Sequence, residues 1–353
     1  MPPVKEDQSV KKSLKSVKPA LLALGVLLLL VFLGRIASFL FSLNQPYTPG
    51  LADFKSYPWD TKSSYNLLYA VQNEQKKLSE ISFINLQPRQ KEVTILHISD
   101  LVYVDVPRGY GEWTIGSIFP LGQEDGGRGT TLLRLAVSRL VGLPLDGIVI
   151  NQGGQSSAEE LISSLRKNQL AVLGLAGNIK SNVTTWELLT LSKFLSSVRT
   201  DKVISLDLAK STITESKLLP DSSRVLGIDN IQLDSFIRNN LADAAFTDEN
   251  VTIAIFNATS HPGLAQSASR MVTNMGGTVV FIGNTETYQA KTVVLDISED
   301  PSSLEITKKR LIEVFAPMCQ KEVCTSSDPK VTSARSQLVI VLGEDFYSYW
   351  NKR

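Results

Sequence analysis

Four carboxylates lie near predicted strand ends or turns, where binding and catalytic sites are often built. They are Asp100, Asp105, Glu112 and Asp146. Oxygen donors of this kind suit a hard cation such as Mg²⁺. Charges also collect at exposed strand ends without any function, and none of the four has a partner at a defined spacing. Asp105, in the alternating run VYVDVP, is the first candidate among them.

A glycine-rich run, GQEDGGRGTT at residues 122–131, invites comparison with a phosphate-binding loop. Glycine amides and helix N-termini do bind anions. However, the run lacks the G-x-x-x-x-G-K-[ST] pattern, and its Glu124 and Asp125 would repel phosphate. We therefore expect a flexible surface loop that caps a helix beginning near residue 130.

The two histidines of the chain offer little acid–base chemistry. His97 falls within the apolar run VTILHIS, which predicts a half-buried strand residue. His261 precedes Pro262 at the start of a helix, which predicts a turn residue. A serine triad would need one of them as its base, and the sequence has no G-x-S-x-G elbow. The residue types alone therefore indicate no set of catalytic residues.

Two cysteines, Cys319 and Cys324, lie close together in CQKEVC. A disulfide between them is permitted outside the cytoplasm, and two unlinked thiols in a loop are the alternative. They do not resemble a zinc site, because the histidines are far away in the sequence and no second cysteine pair exists. We expect no metal site.

The overall composition is that of a globular protein of about two domains. The 353 residues are 43% hydrophobic and 20% charged, and the formal net charge is +1. A nucleic-acid-binding protein normally shows a basic face or stripe, and none is found outside the first 18 residues. The sequence therefore predicts no nucleic-acid partner.

One apolar stretch predicts a membrane anchor. Residues 20–34 carry no polar side chain, and after Arg35 the apolar character continues to Leu43, which is enough to cross a hydrocarbon core of about 30 Å. Lysines precede the stretch, so the positive-inside rule keeps the N-terminus cytoplasmic and sends the C-terminal bulk outside. A cleaved signal peptide and a buried core helix are the alternatives.

The chain divides into five predicted segments: a cytoplasmic tail at 1–18, a transmembrane helix at 19–43, a linker at 44–60, and domains at 61–247 and 250–347. The fold class is α/β (α+β). The first domain alternates strands and helices, with a hairpin turn at residues 87–90 and a capping box from Thr184 to Glu187. The second has the β-α-β-β-α-β order typical of a ferredoxin-like domain.

Two stretches of the first domain resemble the LytR-CpsA-Psr (LCP) family of cell-envelope proteins. They are EVTILHISDLVYVDVP with the later LLRLAVSRLVGLPLDGIVIN, and NVTTWELLTLSKFLSSVRTDKVISLDL, which together cover about residues 70–210. The second domain resembles the LytR C-terminal domain in the segments VTIAIFNATSHPGLAQSASRMVTNMGGTVVFIGN and LVIVLGEDF. The residues that carry this motif, and that the resemblance marks as candidate binding or structural residues, are Asn257, Thr259, Pro262, Gly263 and Leu264.

The resemblance implies a role in the cell envelope. Active LCP members transfer glycopolymers from a polyprenyl-pyrophosphate carrier to the wall, and they hold the pyrophosphate and a magnesium ion with arginines and acidic residues. Where the family has Ile-Pro-Arg-Asp, this chain has residues 98–101, Ile-Ser-Asp-Leu, without the arginine. Only Ser79 and Glu80 resemble the family's earlier acidic motif. Arg108 and Arg128 are the remaining arginine candidates.

The leading hypothesis is that the chain is a membrane-anchored LCP-like protein with a binding or scaffolding role in cell-envelope or wall-glycopolymer assembly. In this hypothesis it catalyses no reaction and needs no cofactor. Its expected partners are the bilayer and a wall polymer or polyprenyl-linked precursor. The enzyme alternative is a divergent, magnesium-dependent phosphotransferase built on Asp100, Asp105, Arg108 and Arg128. A third alternative is a membrane-bound regulator, which the short N-terminal tail disfavours because about 18 residues are too few for a DNA-binding fold.

Overall fold

The structure is a computed structural model, and it describes residues 8–48, 58–73, 76–153, 156–169, 179–317 and 325–351. Helix α1 (Gln8–Leu43) contains the predicted membrane span. Its part from Leu22 to Leu43 is long and apolar enough to cross a bilayer, and none of that part is buried against the rest of the chain. The alternative of a buried core helix is therefore wrong, whereas a signal sequence would pass the same test of length and composition.

The strands of the first predicted domain are β1 (Tyr65–Gln72), β2 (Leu78–Gln87), β3 (Glu92–His97), β4 (Tyr103–Val106), β5 (Gly111–Thr114), β6 (Gly147–Asn151), β7 (Ile179–Ser181), β8 (Val203–Asp207), β9 (Thr214–Leu218) and β10 (Arg224–Ile228). Six of them form one mixed sheet in the order β7-β6-β1-β2-β3-β8. The pairs β1–β6 and β3–β8 are parallel, and the others are antiparallel. The predicted hairpin between β2 and β3 is confirmed, with Gln87 opposite Glu92.

The helices that follow α1 are α2 (Ile115–Glu124), α3 (Gly129–Val141), α4 (Ala158–Lys167), α5 (Thr185–Ser197), α6 (Asn230–Asn240), α7 (Ala244–Glu249), α8 (Leu264–Asn274), α9 (Glu305–Phe315), α10 (Pro329–Thr332) and α11 (Glu344–Asn351). Helix α5 begins with the predicted capping box from Thr184 to Glu187, and α4 has a second box from Ser157 to Glu160. In each box the hydroxyl accepts from a backbone N–H of the first turn, and the glutamate accepts from the N-cap N–H.

The glycine-rich run differs from the flexible loop that we expected. Helix α2 extends into it as far as Glu124, and α3 begins at Gly129. A Cβ atom on Gly122 would lie 2.7 Å from the Cα of Gly129, so only glycines let the two helices approach this closely. Gly126 and Gly127, with φ values of +72° and +78°, form the turn between them. The glycine-rich run therefore forms a tight connection between α2 and α3.

The second predicted domain has the strands β11 (Thr252–Asn257), β12 (Thr278–Asn284), β13 (Val293–Asp296) and β14 (Leu338–Leu342). The mixed α/β class and the order β-α-β-β-α-β are confirmed. The ferredoxin-like arrangement is corrected, because the sheet order is β12-β11-β14-β13. In a split β-α-β unit a third strand separates the two strands that a helix connects. Here β11 and β12, which α8 connects, are direct parallel neighbours.

The core runs through both predicted domains. One hydrophobic cluster contains Leu68 and Ile148 of the six-stranded sheet together with Ile253 and Ile340 of the four-stranded sheet. The opposite face of the six-stranded sheet packs against α4 and α5 in a second cluster. The boundary between the domains is therefore covered by packed apolar side chains, and polar groups that lie along it are removed from water.

Candidate functional site

Three side chains that could bind a ligand meet at one edge of the six-stranded sheet, in what we call the strand-end cluster. Glu80 lies on β2, His97 is the last residue of β3, and Glu159 lies in the first turn of α4. The Nε2 atom of His97 is 2.7 Å from Oε1 of Glu159, and its Nδ1 atom is 3.8 Å from Oε1 of Glu80. All three side chains are partly exposed, so a ligand from solution can reach them.

Two serines and the start of α4 fix this cluster. The Oγ of Ser82 is 2.9 Å from Nδ1 of His97, and Ser205 on β8 donates to Glu159 over 2.6 Å. The backbone N–H of Ala158 donates to Glu80 over 2.8 Å. Burial raises the pKa of Glu159, but the hydrogen bonds from Ser205 and His97 outweigh it and lower that pKa to about 2. Glu159 is therefore an anion at neutral pH.

The strand-end cluster has the chemistry of a cation site. Its three ligand atoms lie within 4.8 Å of one another, as a metal ion would require. Within the described residues, none of the three forms an ion pair with an arginine or a lysine. Two carboxylates around one imidazole repel a pyrophosphate and suit a divalent cation. The residue types alone did not indicate His97 as a possible ligand residue. Its expected position as a half-buried strand residue agrees with the structure.

The four candidates of the enzyme alternative lie at separate positions in the fold, and the side chains of Asp105 and Arg108 have partners outside this set. Asp105 on β4 pairs with Arg139 over 2.6 Å. Arg108, in the turn after β4, has a φ of +70° and donates to the carbonyl of Tyr349. Arg128 is exposed at the N-cap of α3, and Asp100 is exposed, with its carbonyl accepting from Gly116. A catalytic role for them stays a prediction.

The residues of the LytR-like motif form the turn between β11 and α8. Asn257 accepts from the backbone N–H and the hydroxyl of Thr259, and its amide donates to the carbonyl of His261. Gly263, after Pro262, has a φ of +80° at the N-cap of α8. Leu264 is buried in the large core cluster. These contacts hold the turn together, and a binding role for the motif stays a prediction. Cys319 and Cys324 lie outside the described residues.

A cavity of about 300 Å³ lies where the two predicted domains meet, and we call it the junction cavity. Its polar side chains include Tyr65, Arg134, Asp146, Arg310 and Glu313. Its aromatic side chains are Trp59, Phe315, Phe346, Tyr349 and Trp350. These residues are scattered over most of the chain, so no local sequence pattern could have assembled them.

An ion pair crosses the junction beside this cavity. Arg310 on α9 donates to both carboxylate oxygens of Asp146, over 2.6 and 2.8 Å, in the bidentate geometry that arginine favours. Burial by itself lowers the pKa of Arg310, but the attraction of Asp146 outweighs it and the net pKa is raised. Burial also raises the pKa of Glu313, against the opposing effect of Arg310. Asp146, a candidate from its place near a strand end, therefore joins the two domains.

Comparison with known proteins assigns the second predicted domain. Residues 250–346 match the family model LytR_C, described as LytR cell envelope-related transcriptional attenuator. Residues 250–346 form a LytR C-terminal domain. The resemblance of these residues to that family is thereby confirmed, and the LytR C-terminal domain consists of β11 to β14 with the helices between them. No curated protein matches the chain.

Several solved structures are similar to this chain at low identity. One is TagT bound to LI-WTA, with 14% identity and a TM-score of 0.39 over 52% of this chain and 94% of TagT. Another is the LytR-CPS2A-psr family protein YwtF (TagT) with bound octaprenyl pyrophosphate lipid, with 15% identity and a TM-score of 0.37 over 52% and 93%. The TagV protein of B. subtilis has 11% identity and a TM-score of 0.40 over 62% and 99%.

Proposed function

We propose that this chain is a membrane-anchored protein of the cell envelope that binds a wall glycopolymer or its polyprenyl-linked precursor without transferring it. The family description of the LytR C-terminal domain and the apolar helix α1 support the location. The five lysines among the first 18 residues support a cytoplasmic N-terminus. The wall polymer and its precursor are the ligand classes that follow from the LCP resemblance of residues 70–210.

The charge of the strand-end cluster is the main observation that argues against transfer of a glycopolymer. A pyrophosphate needs arginine forks or a comparable density of positive charge. The cluster instead presents two carboxylates and an imidazole, and within the described residues none of the three is paired with a lysine or an arginine. Placing a pyrophosphate there without a bridging cation would leave like charges close together, at a cost of several kcal/mol.

A transfer assay tests this proposal. The full chain is reconstituted in liposomes that contain a labelled glycan on polyprenyl pyrophosphate, and isolated cell wall is added as the acceptor. We expect label to stay on the lipid, with and without Mg²⁺, while detergent-solubilised precursor is retained by the immobilised chain. Magnesium-dependent transfer that Arg128→Ala abolishes would establish the enzyme alternative instead.

The orientation of the anchor has its own test. Alkaline phosphatase fused after residue 353 is active only outside the cytoplasm, so we expect an active fusion in cells. A fusion that is active only when the reporter replaces the N-terminal tail would place the LytR C-terminal domain inside the cell and contradict the proposal.

A further inference from the structure

The segment that follows α1 is attached directly to the edge of the six-stranded sheet. Pro46 forms an isolated antiparallel bridge with Thr184, the N-cap residue of α5. The backbone N–H of Thr48 donates over 2.9 Å to the carbonyl of Ser181, the last residue of the edge strand β7. Residues 46–48 therefore run beside β7 and the start of α5.

This attachment leaves little free chain between the membrane and the first domain. The apolar span of α1 ends at Leu43, and the backbone N–H of Gln45 donates to the carbonyl of Ser42, so the chain turns at once. The chain from Leu43 to Pro46 reaches at most about 11 Å, and the bridge to Thr184 adds about 5 Å. The headgroup layer of each leaflet is about 5–8 Å deep. The start of α5 therefore lies in this layer or within about 10 Å of it.

The outer side of α5 has the composition of a surface that contacts lipid headgroups. Trp186, in the first turn of the helix, is 56% exposed. The half-buried Leu189 and the exposed Lys193 lie three and seven residues further on, so they share its side of the helix. Glu187, the one acidic residue in the sequence of α5, is buried in the capping box. We call the surface formed by Trp186, Leu189 and Lys193 the α5 face.

The residue types of the α5 face match a membrane–water interface. Tryptophan collects at this interface because its ring is apolar while its indole N–H remains a hydrogen-bond donor. A lysine beside it is attracted to anionic lipids, and its apolar stem can lie along the headgroups. Exposure alone does not distinguish Trp186, because Trp113 on β5 is also 41% exposed. Its position beside the end of the membrane span does.

We propose that the α5 face rests on the lipid headgroups of the leaflet from which the chain emerges, with the ring of Trp186 among the headgroups and Lys193 beside anionic lipid phosphates. This inference rests on the membrane anchor of the proposed function and goes beyond it. It assigns a lipid-binding surface to the first domain and fixes the side of that domain that faces the bilayer.

Fluorescence quenching by brominated lipid tests this inference with the full chain reconstituted in liposomes. The liposomes contain phosphatidylcholine and phosphatidylglycerol, and part of the phosphatidylcholine is brominated on its acyl chains close to the headgroup. The chain has four tryptophans, none of them in α1, so the span itself gives no signal. We expect the brominated lipid to lower the total tryptophan emission, and Trp186→Phe should remove most of that quenching.

The matched control is Trp113→Phe, because the ring of Trp113 is also exposed but belongs to β5, away from the anchor. This variant should keep the full quenching. Both side chains are exposed, so both variants should keep the thermal midpoint of the unchanged chain.

The charge of the α5 face has a separate test. Lys193→Glu should weaken the quenching of Trp186 in liposomes that contain phosphatidylglycerol and change it little in phosphatidylcholine alone, because only the anionic lipid repels the new carboxylate. Lys330→Glu makes the same charge change at a half-exposed lysine of the LytR C-terminal domain and should leave the quenching unchanged.

Three results would overturn the inference. They are unchanged quenching in Trp186→Phe, an equal loss of quenching in Trp113→Phe, and no quenching at all from a chain that stays in the liposomes during a sodium carbonate wash. None of them affects the transfer assay or the reporter fusion, so the proposed function can stand when this surface assignment fails. Release of the chain by the wash would instead contradict the anchor and therefore both proposals.

Discussion

The ionisation of Glu159 depends on a few hydrogen bonds at the strand end. Burial disfavours its carboxylate, yet the bonds from Ser205 and His97 prevail and lower its pKa to about 2, from a reference value of 4.5. A carboxylate whose pKa is lower in the folded state stabilises the fold above the unfolded pKa. That stabilisation is complete above about pH 4.5 and is lost as the pH falls towards 2.

We predict that Glu159→Gln destabilises the chain at pH 7 and flattens the acid part of its stability profile. The side chain is 42% exposed, so after allowance for solvent screening the loss at pH 7 should be about 1 kcal/mol. Denaturant unfolding between pH 2 and pH 7 measures it, and the two proteins should converge near pH 2. Glu112→Gln, at an exposed position on β5, is the control and should change little. An equal free energy of unfolding at pH 7 would contradict the prediction.

Only part of the strand-end cluster could be predicted from the sequence. The hairpin turn after Gln87 fixes the register of β2 and β3, and that register places Ser82 directly opposite His97. Glu80 is two residues before Ser82 and therefore shares its face of the strand. Glu159 could not be placed in the same way, because its position depends on how α4 packs against the sheet and no local pattern encodes that packing.

Among the elements, the contact between α2 and α3 depends most directly on residue size. We predict that Gly122→Ala destabilises the chain by about 1–3 kcal/mol, because the new methyl group would lie 2.7 Å from Gly129 and must push the helices apart. Glu124→Ala, at an exposed position at the end of α2, should stay within about 0.5 kcal/mol of the unchanged chain. Thermal unfolding of both variants measures the difference, and similar midpoints would show that the helices separate without cost.

Helices and strands with strong local sequence signals were predicted well, but the strands that pair with each other in the sheet were not. Helix α5 follows from its capping box, and β11 and β14 follow from runs of apolar, β-branched residues. The ferredoxin-like arrangement was wrong because periodicity identifies a strand without identifying its neighbour. Helix α11 was missed for a related reason. The predicted strand ends at Leu342, as it does in the structure, but the run LVIVLGEDF carries no pattern that indicates the helix beginning at Glu344.

For the whole molecule, the contacts between the LytR C-terminal domain and the rest of the chain decide whether a junction cavity exists. Arg270 on α8 donates to the carbonyls of Arg139 and Leu140 at the end of α3, and it also pairs with Asp234 on α6. Arg310 on α9 pairs with Asp146 on the other side of the junction. With the shared hydrophobic cluster, these contacts hold the cavity walls in place, so its shape should depend on both domains being folded together.

We predict that Asp146→Asn destabilises the chain by about 3–5 kcal/mol, because it leaves the buried guanidinium of Arg310 with only its longer, 3.6 Å ion pair to Glu313. The control is Asp105→Asn, which breaks an ion pair with Arg139 whose aspartate is 62% exposed and should cost less than about 1 kcal/mol. Denaturant unfolding of the full chain in detergent, followed by tryptophan fluorescence, compares the two.

Replacing both partners, as Asp146→Asn with Arg310→Met, should recover part of the loss because no unpaired charge remains buried. Equal losses for the two aspartate variants would show that the junction pair contributes no more than a surface ion pair, and the cavity walls would then depend on apolar packing alone.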